Sequence, residues 1–306
     1  MKGVILNIVI NIVFLFVLPY LMYGIIKKVK AFFARRKGPS IWQYGFDLFK
    51  LLKKGEMLTV FAGLRNGGVL ALSGVLAAAM IIPQISGKGI LNLGYYDYIF
   101  FIYMLSFSRF FTVIAALESG CSFEGMGSSR ELIFSVTGEI ALMMTVASLA
   151  FYTRAESFSK LFSTIAVGGG EGFIIALLAG VILFILMLLE GSRMPIDDPE
   201  THLELTMIHE AMVLDQSGPQ LAFMSYAGMV KVYLFASFIL SLVLAVWRDS
   251  RFYMLFFLLG IVIISVIIGV IESLQARLRM VHVQQYIFFS AALSLILLLS
   301  VIVFQG

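Results

Sequence analysis

The chain has 306 residues, of which 60% are hydrophobic and only 13% are charged, and its formal net charge is +4. A soluble domain carries about 25% charged residues, so this composition excludes an ordinary soluble globular protein and indicates an integral membrane protein. The basic residues cluster beside apolar runs, where they act as orientation signals, and the positive charge therefore requires no nucleic-acid partner. The lone cysteine, Cys121, excludes a disulfide framework, a cysteine-based zinc site and a set of iron–sulfur ligands.

Hydropathy predicts an all-α integral membrane protein with about eight transmembrane helices plus amphipathic and cytoplasmic helical segments. The predicted spans cover residues 3–26, 68–85, 96–117, 132–152, 173–189, 221–246, 252–273 and 285–304. The first run is longer than a signal-peptide core and lacks a small-residue cleavage pattern, so we interpret it as a retained span. The whole chain, 1–306, is treated as a single transmembrane domain.

Four connections between the predicted spans carry further signals. A basic segment, 27–66, contains the breaker Gly38-Pro39 and a stretch, 41–54, whose apolar and lysine residues fit an amphipathic helix. That helix either lies on the membrane surface or packs on the protein. The Gly- and Ser-rich residues 118–130 are expected to form a loop, and residues 153–171 a long polar connection.

An acidic segment, 190–220, stands out in so apolar a chain, because dense polar groups are costly there unless they are hydrated, paired or used. A helix is predicted over 200–214, after a possible cap at Asp198. Its acids and histidines are Glu190, Asp197, Asp198, Glu200, Glu204, Glu210, Asp215, His202 and His209. The histidines are expected to donate hydrogen bonds or pair with acids, and a proton-relay role stays open.

Lysine and arginine residues outside the spans fall mostly on the side that carries the basic and acidic segments. The positive-inside rule therefore predicts that both segments face the cytoplasm and that both termini lie outside a plasma membrane crossed several times.

Charged residues also fall within the predicted spans or near their cytoplasmic ends. Burying such a charge at the bilayer centre costs about 2.5–3.5 kcal/mol, so these side chains should face the bundle interior and pair. They are Arg109, Glu118, Glu131, Glu139, Glu190, Lys231 and Glu272. They form either helix-locking ion pairs or a proton or ion path, and several glutamates at similar depth favour the path.

No motif in the sequence indicates catalysis within this chain. There is no P-loop, no Gly-x-Gly-x-x-Gly, no haem or flavin signature and no nucleophile arrangement, and His209-Glu210 is not followed by the second histidine of a zinc motif. We therefore expect no catalytic, cofactor-binding or metal-binding residue here, and any redox chemistry should belong to partner subunits.

Several motifs resemble the quinone-module membrane subunit of respiratory complex I. The run Arg193-Met-Pro195-Ile-Asp197, then Glu200 and Glu204-Leu205, is similar to its Arg-x-Pro-x-Asp motif, and Glu190 matches as well. The fuller run to Leu214 resembles more closely the membrane subunit of group 4 membrane-bound [NiFe] hydrogenases and formate hydrogenlyases. Three further elements match: Arg35-Arg36-Lys37-Gly38-Pro39, Gly125 to Glu131, and Arg277-Leu-Arg279.

The resemblance implies a membrane-anchor and coupling subunit of a redox-driven ion-pumping complex. Iron–sulfur clusters and a NiFe centre would lie in peripheral and large catalytic subunits on the cytoplasmic side, with antiporter-like membrane subunits alongside and ferredoxin as electron donor. The resemblance carries the family's path glutamates to Glu139, Glu190, Glu200 and Glu204. The expected docking and coupling residues are Arg35, Arg36, Gly38, Pro39, Arg193, Pro195, Asp197, His202, His209, Glu210 and Asp215.

Alternatives remain at this stage. A ferredoxin-dependent hydrogenase complex is preferred, a sulfur-reducing relative comes next, and a quinone-reducing complex is third because His202, Thr206 and His209 depart from that subunit's motif. A free-standing secondary transporter is a distant alternative, since it would need a midplane site and internal symmetry.

Overall fold

Helices account for nearly all of the regular structure in this computed structural model, which describes residues 2–56, 66–83, 89–197, 207–248, 250 and 252–305. The α-helices are α1 Lys2–Phe33, α2 Gln43–Leu52, α3 Gly67–Ala79, α4 Asp97–Glu118, α5 Ser122–Thr153, α6 Phe158–Val167, α7 Gly169–Glu190, α8 His209–Met212, α9 Gly218–Val243, α10 Tyr253–Leu274 and α11 Met280–Gln305. Within the described ranges there is no β-strand. The predicted all-α membrane fold is confirmed.

Seven helices within the described residues are long and apolar enough to cross a membrane, namely α1, α4, α5, α7, α9, α10 and α11. The remaining predicted span, 68–85, coincides with α3, which ends at Ala79 and is followed by a turn that reaches Pro83. At 1.5 Å per residue α3 is about 20 Å long, which is shorter than the roughly 30 Å hydrocarbon core. The segment nevertheless runs alongside most of α9, because Gly68 contacts Gln220 near the start of α9 and Pro83 contacts Ser241 near its end. It packs against α4 and α9, with small residues such as Ala71 and Ala78 fully buried.

Helix α9 lies at the centre of the bundle, because it packs against α1, α2, α3, α7 and α10. Its middle is filled by large apolar side chains, and Phe238 makes edge-on ring contacts with Phe101, Phe158 and Phe162. Lys231 is carried on this same buried helix and is therefore held deep inside the protein.

Polar side chains on α9 hydrogen-bond to backbone groups of other segments. Gln220 Oε1 accepts from the N–H of Gly68 at 3.0 Å, and Ser241 Oγ donates to the carbonyl of Pro83 at 2.9 Å. The Tyr226 hydroxyl donates to the carbonyl of Leu15 at 3.2 Å. Pro19 lies inside α1 four residues after Leu15 and has no N–H, so it leaves that carbonyl without its helical donor. Tyr226 supplies the missing bond, as a membrane interior requires.

Two connections differ from the sequence-based predictions. Helix α5 begins at Ser122 instead of residue 132, so the expected Gly- and Ser-rich loop over 118–130 is mostly helix. Small residues there allow close packing: a Cβ on Gly127 would lie 2.9 Å from the Cβ of Ala211. The polar connection predicted over 153–171 contains α6, which the prediction missed although Phe158, Leu161, Phe162 and Ile165 bury one face at helical spacing.

Helix α2 combines the two alternatives predicted for residues 41–54, a helix on the membrane surface and a helix packed on the protein. It packs on α9 and α1 and buries Leu48, while Trp42, Phe46 and Phe49 remain at least half exposed. Tyr44 contacts Tyr23 of α1 edge-on, with ring centroids 5.4 Å apart. One side of α2 therefore rests on protein, and the other leaves aromatic side chains for lipid or a partner.

Tyr226→Phe should destabilise the protein by about 1–3 kcal/mol, because it leaves the Leu15 carbonyl buried without a donor. The ring stacking with Tyr20, at 5.1 Å between centroids, is kept. Pro19→Ala supplies the matched background, because it restores the backbone N–H for Leu15. In that background Tyr226→Phe should cost clearly less, as measured by thermal unfolding in mild detergent. Equal losses in both backgrounds would show that the freed carbonyl is not what Tyr226 stabilises.

Candidate buried ion-pair site

The centre of the candidate site is Arg109 on α4, whose side chain is only 5% exposed. Its guanidinium contacts the carboxylates of Glu139 and Glu190, and its Nε lies 3.8 Å from Glu131 Oε1. Lys231 Nζ lies 3.4 Å from Glu190 Oε2. The structure therefore brings together the two predicted intramembrane cations and three of the predicted path glutamates.

The secondary structure explains how these side chains meet. Glu131 and Glu139 lie eight residues apart on α5 and so occupy nearly the same face of that helix. Glu190 is the last residue of α7, and Lys231 comes from the central helix α9. Ser106, one turn before Arg109, donates from Oγ to Glu139 Oε1 at 2.8 Å. Four helices thus contribute to one polar group within an apolar bundle.

The charges of this group do not cancel when all members are ionised. Among the described residues, two cations, Arg109 and Lys231, face three carboxylates, those of Glu131, Glu139 and Glu190. Buried charges require compensation, and one additional proton or monovalent cation would balance the group. The arrangement is therefore chemically suited to taking up and releasing a single positive charge.

A second ion-pair group lies beside the first. Arg193 Nη1 is 3.1 Å from Glu272 Oε1, Lys30 Nζ is 3.4 Å from Glu272 Oε2, and the Arg193 guanidinium stacks 3.8 Å from the ring centroid of Tyr23. Glu272 thus joins a different set of cations from the other predicted path glutamates.

The turn after α7 directs Arg193 inward. Ser192 adopts a left-handed conformation with φ 49°, and the backbone N–H of Arg193 donates to the Leu188 carbonyl at 2.8 Å, which closes the end of the helix. Burial by itself would lower the pKa of Arg193, but Tyr23 and Glu272 outweigh it and raise that pKa. Arg193 is therefore a buried cation, and a docking role for it would act through the position of this turn.

Asp197 connects the first turn of the acidic segment to a later part of that segment and to Arg277. Its Oδ2 accepts from the backbone N–H groups of Ile208 and His209 at 3.3 and 3.0 Å, and its Oδ1 lies 2.8 Å from Arg277. The carbonyl of Pro195 accepts from the N–H of Leu278 at 3.0 Å. The motif residues Pro195 and Asp197 thus tie this turn to α8 and to the connection between α10 and α11.

A cavity of about 190 Å³ lies between the ion-pair group and the acidic segment. Its wall includes Glu190 and Lys231 from the Arg109 ion-pair group, and His209 and Glu210 from the acidic segment. Hydroxyl groups of Ser108, Thr112, Ser192 and Ser225 also line it. A water molecule occupies about 30 Å³, so the cavity has room for several, with polar groups to bind them.

His209 lines this cavity in a half-buried position. Burial lowers its pKa from the ordinary value of 6.5, Lys231 lowers it further, and Glu210 and Asp197 oppose the shift without reversing it. His209 is therefore neutral near pH 7, with one ring nitrogen free to accept a proton.

The remaining predicted residues lie elsewhere. Arg35, Arg36 and Pro39 are exposed and Gly38 is half-buried, in the connection between α1 and α2, where they form no part of the ion-pair groups. Three predicted residues lie outside the described residues, namely Glu200, His202 and Glu204. Much of the helix predicted over 200–214 also lies outside them, and its described part contains only the short helix α8. Within the described residues, no three His, Cys, Asp or Glu side chains are placed to hold a metal ion.

Sequence reasoning did not single out some of the residues that complete the site. Tyr23 and Lys30 lie on α1 against the Arg193–Glu272 pair, which hydropathy could not reveal because it does not say which helices touch. Glu124 is fully buried in the first turn of α5, and its Oε1 accepts from the N–H of the exposed Asp215 at 2.9 Å. Its spacing of seven residues before Glu131 was a signal, but the expected loop concealed it.

Comparisons with known proteins agree with this architecture. The family described as NADH dehydrogenase matches residues 6–304. The chain is 29% identical to hydrogenase-4 component C of Escherichia coli strain K12 over 92% of this chain and 91% of that protein. It is 24% identical to formate hydrogenlyase subunit 4 of the same strain over 87% and 88%.

A solved structure of the membrane-bound sulfane sulfur reductase, an archaeal respiratory membrane complex, contains a chain of the same fold. It superimposes with a TM-score of 0.79 at 20% identity, covering 98% of this chain and 99% of that one. The resemblance inferred from the motifs is confirmed.

Replacing Arg109 with Met should strongly destabilise the protein, by about 3–5 kcal/mol, because Glu131, Glu139 and Glu190 would lose the cation they share and only Glu190 would keep a pair, with Lys231. Thermal unfolding of the purified protein measures the loss. Arg154→Met, at an exposed arginine, is the matched control and should change stability by less than about 0.5 kcal/mol. Adding Glu190→Gln to Arg109→Met should recover part of the loss. A stable Arg109→Met protein would contradict the ion-pair assignment.

Stability should fall as pH falls below about 6.5, because the unfolded state then protonates His209 while the folded state, with its lowered pKa, does not. The decline continues until the pH passes the folded pKa. His209→Gln should flatten this acid-side slope in a series of thermal unfolding curves. An unaltered slope in His209→Gln would mean that His209 is not held neutral.

Proposed function

We propose, on the premise that this chain belongs to the NADH dehydrogenase family, that it is the membrane-anchor and coupling subunit of an ion-translocating redox complex. In this role it holds a peripheral electron-transferring arm and links electron transfer to the movement of H⁺ or Na⁺. It carries no catalytic residue of its own for the redox step.

One observation carries the proposal: the Arg109 group lies next to a polar cavity whose wall also includes His209 and Glu210 of the acidic segment. Unbalanced charges inside a membrane bundle are costly, and ionisable residues kept within membrane helices mark ion pathways and proton relays, among other functions. A change of charge near His209 and Glu210, caused by redox chemistry in a docked subunit, would alter the field at Glu190 and Lys231 across this cavity.

The relatives favour a hydrogenase-type complex. Both curated relatives are named as a component or a subunit, one of a hydrogenase and one of a formate hydrogenlyase. We therefore propose a ferredoxin-dependent membrane-bound hydrogenase, with iron–sulfur clusters and a NiFe centre in partner subunits and antiporter-like membrane subunits beside this chain. A sulfur-reducing complex is the second candidate, and the fold shared with a subunit of a sulfane sulfur reductase complex favours it.

The docking surface in this proposal combines two segments. The first is the exposed Arg35, Arg36 and Pro39 after α1, and the second is the acidic segment, whose first turn is largely buried and whose Asp215 is exposed. Both lie on the side predicted to face the cytoplasm of a plasma-membrane protein, with the termini on the other side. A positively charged loop beside an acidic segment gives a docking partner two complementary contacts.

The defining experiment is purification of this chain from its native membrane in mild detergent, with identification of the copurifying subunits and an assay of hydrogen formation from reduced ferredoxin. Iron–sulfur and nickel–iron subunits with hydrogen evolution support the hydrogenase. The same kind of arm with sulfur reduction and no hydrogen favours the second candidate. A chain that purifies alone and still folded would contradict both candidates. It would then favour the hypothesis of a free-standing secondary transporter.

Glu139→Gln should leave the complex assembled and its redox activity intact while ion pumping falls, because the amide keeps the Ser106 contact but cannot ionise. Pumping is measured with the complex reconstituted in lipid vesicles and a dye that reports the ion gradient. Glu171→Gln, at an exposed glutamate near the start of α7, is the control and should pump normally. Normal pumping by Glu139→Gln would remove Glu139 from the path.

A further inference from the structure

Glu124 occupies an unusual position for a carboxyl group. Its side chain is fully buried in the first turn of α5. One oxygen, Oε1, accepts from the backbone N–H of Asp215 at 2.9 Å. The other oxygen, Oε2, is buried and has no hydrogen-bond partner within the described part of the chain. Leaving a buried polar atom unpaired is costly, so this oxygen requires an explanation.

Glu124 also differs from the four glutamates of the ion-pair groups. Glu131, Glu139 and Glu190 share Arg109, and Glu272 contacts Arg193 and Lys30. No lysine or arginine in the described ranges forms an ion pair with Glu124. A carboxylate buried without a cation is strongly disfavoured, whereas the neutral acid avoids that cost. Glu124 is therefore suited to hold a proton, and Oε2 is the oxygen free to carry it.

The neighbours of Glu124 supply a source and a receiver for that proton. Asp215 is exposed, and its backbone N–H bonds Glu124 Oε1. Ser128 follows Glu124 by one turn, is 1% exposed, and its Oγ has no partner among the described residues. Glu131 comes seven residues after Glu124 on the same helix face. A surface acid, a buried acid, a buried hydroxyl and the Arg109 group thus follow one another.

We propose that Glu124 is a proton-loading residue, which receives protons from solvent at Asp215 and passes them through the Ser128 hydroxyl to Glu131. The inference rests on the proposed function and adds the route by which protons reach the Arg109 group. The O–H bond at Glu124 Oε2 breaks, an O–H bond forms on the Glu131 carboxylate, and Glu124 takes a new proton from water. No electron moves in this step.

The distance between Glu124 and Glu131 requires an intermediate group for the proton transfer. Seven residues of α-helix rise by about 10 Å, so Glu124 and Glu131 are too far apart for a direct transfer. The Ser128 hydroxyl can accept one hydrogen bond while donating another, and bridging water completes the link on either side. On arrival the proton neutralises the excess carboxylate of the Arg109 group.

Glu124→Gln is the decisive variant, because glutamine still accepts the Asp215 N–H but carries no transferable proton. In the purified complex in vesicles, we expect normal assembly and normal redox turnover with protonophore, together with loss of proton translocation to the level of a protonophore-treated sample. Infrared difference spectra should show that the carbonyl band of one protonated carboxyl disappears. A variant that pumps like the wild type, with that band retained, would overturn the proposal.

Asp97→Asn is the matched control, because Asp97 is another buried carboxyl that accepts a backbone N–H, that of Leu93 at 2.7 Å, at the far end of α4. It should pump normally. If Glu124→Gln fails to assemble, Glu124→Asp and Asp215→Asn take its place. The first should shift the infrared band and the second should slow proton uptake, and wild-type behaviour of both would overturn the proposal.

The inference and the proposed function fail in different ways. A wild-type complex that turns over in vesicles without moving ions would contradict the proposed function. A wild-type complex that pumps protons, beside an equally active Glu124→Gln variant, would contradict only the role of Glu124.

Discussion

The cost of burying charge in an apolar bundle governs this structure. Arg109 can lie inside the bundle because three carboxylates from α5 and α7 compensate its charge. Those carboxylates can lie there because Arg109 and Lys231 compensate theirs. The same rule brings Arg193 and Lys30 to Glu272. Ion pairs therefore select which helix faces meet, in a solvent where the hydrophobic effect gives helices little reason to prefer one neighbour over another.

The two ion-pair groups also connect the membrane part with the surface segments. Glu190 closes α7 and is followed within three residues by Arg193, so one short turn contributes to both groups. Asp197 then holds the N–H groups that begin α8. A displacement of the acidic segment by a docked subunit would be transmitted through this turn to Glu190, to the Arg193–Glu272 pair and to the cavity beside Glu190. This mechanical continuity is what a coupling subunit requires.

The sequence predicted the fold class and most of the site, for a physical reason. Long apolar runs identify membrane helices, and charges within them must be paired, so Arg109, Glu139, Glu190 and Lys231 could be selected in advance. The partners could not be assigned, because spacing gives the face of a helix and not the neighbour it meets. Helix α6 and the early start of α5 were missed because glycine and serine were taken as loop signals, whereas in a close-packed bundle they permit contact.

The central position of α9 has a consequence for biogenesis. The carbonyls of Leu15 and Pro83, the N–H of Gly68 and the carboxylate of Glu190 all receive partners from this helix, although they belong to segments synthesised earlier. Until α9 is inserted, the first helices carry polar groups that lipid cannot satisfy. The helices of the N-terminal half should therefore pack stably only after α9 is inserted. Before that, water or insertion factors must satisfy their polar groups. A truncation before Gly218 should be degraded as an unfinished protein instead of persisting as a stable smaller bundle.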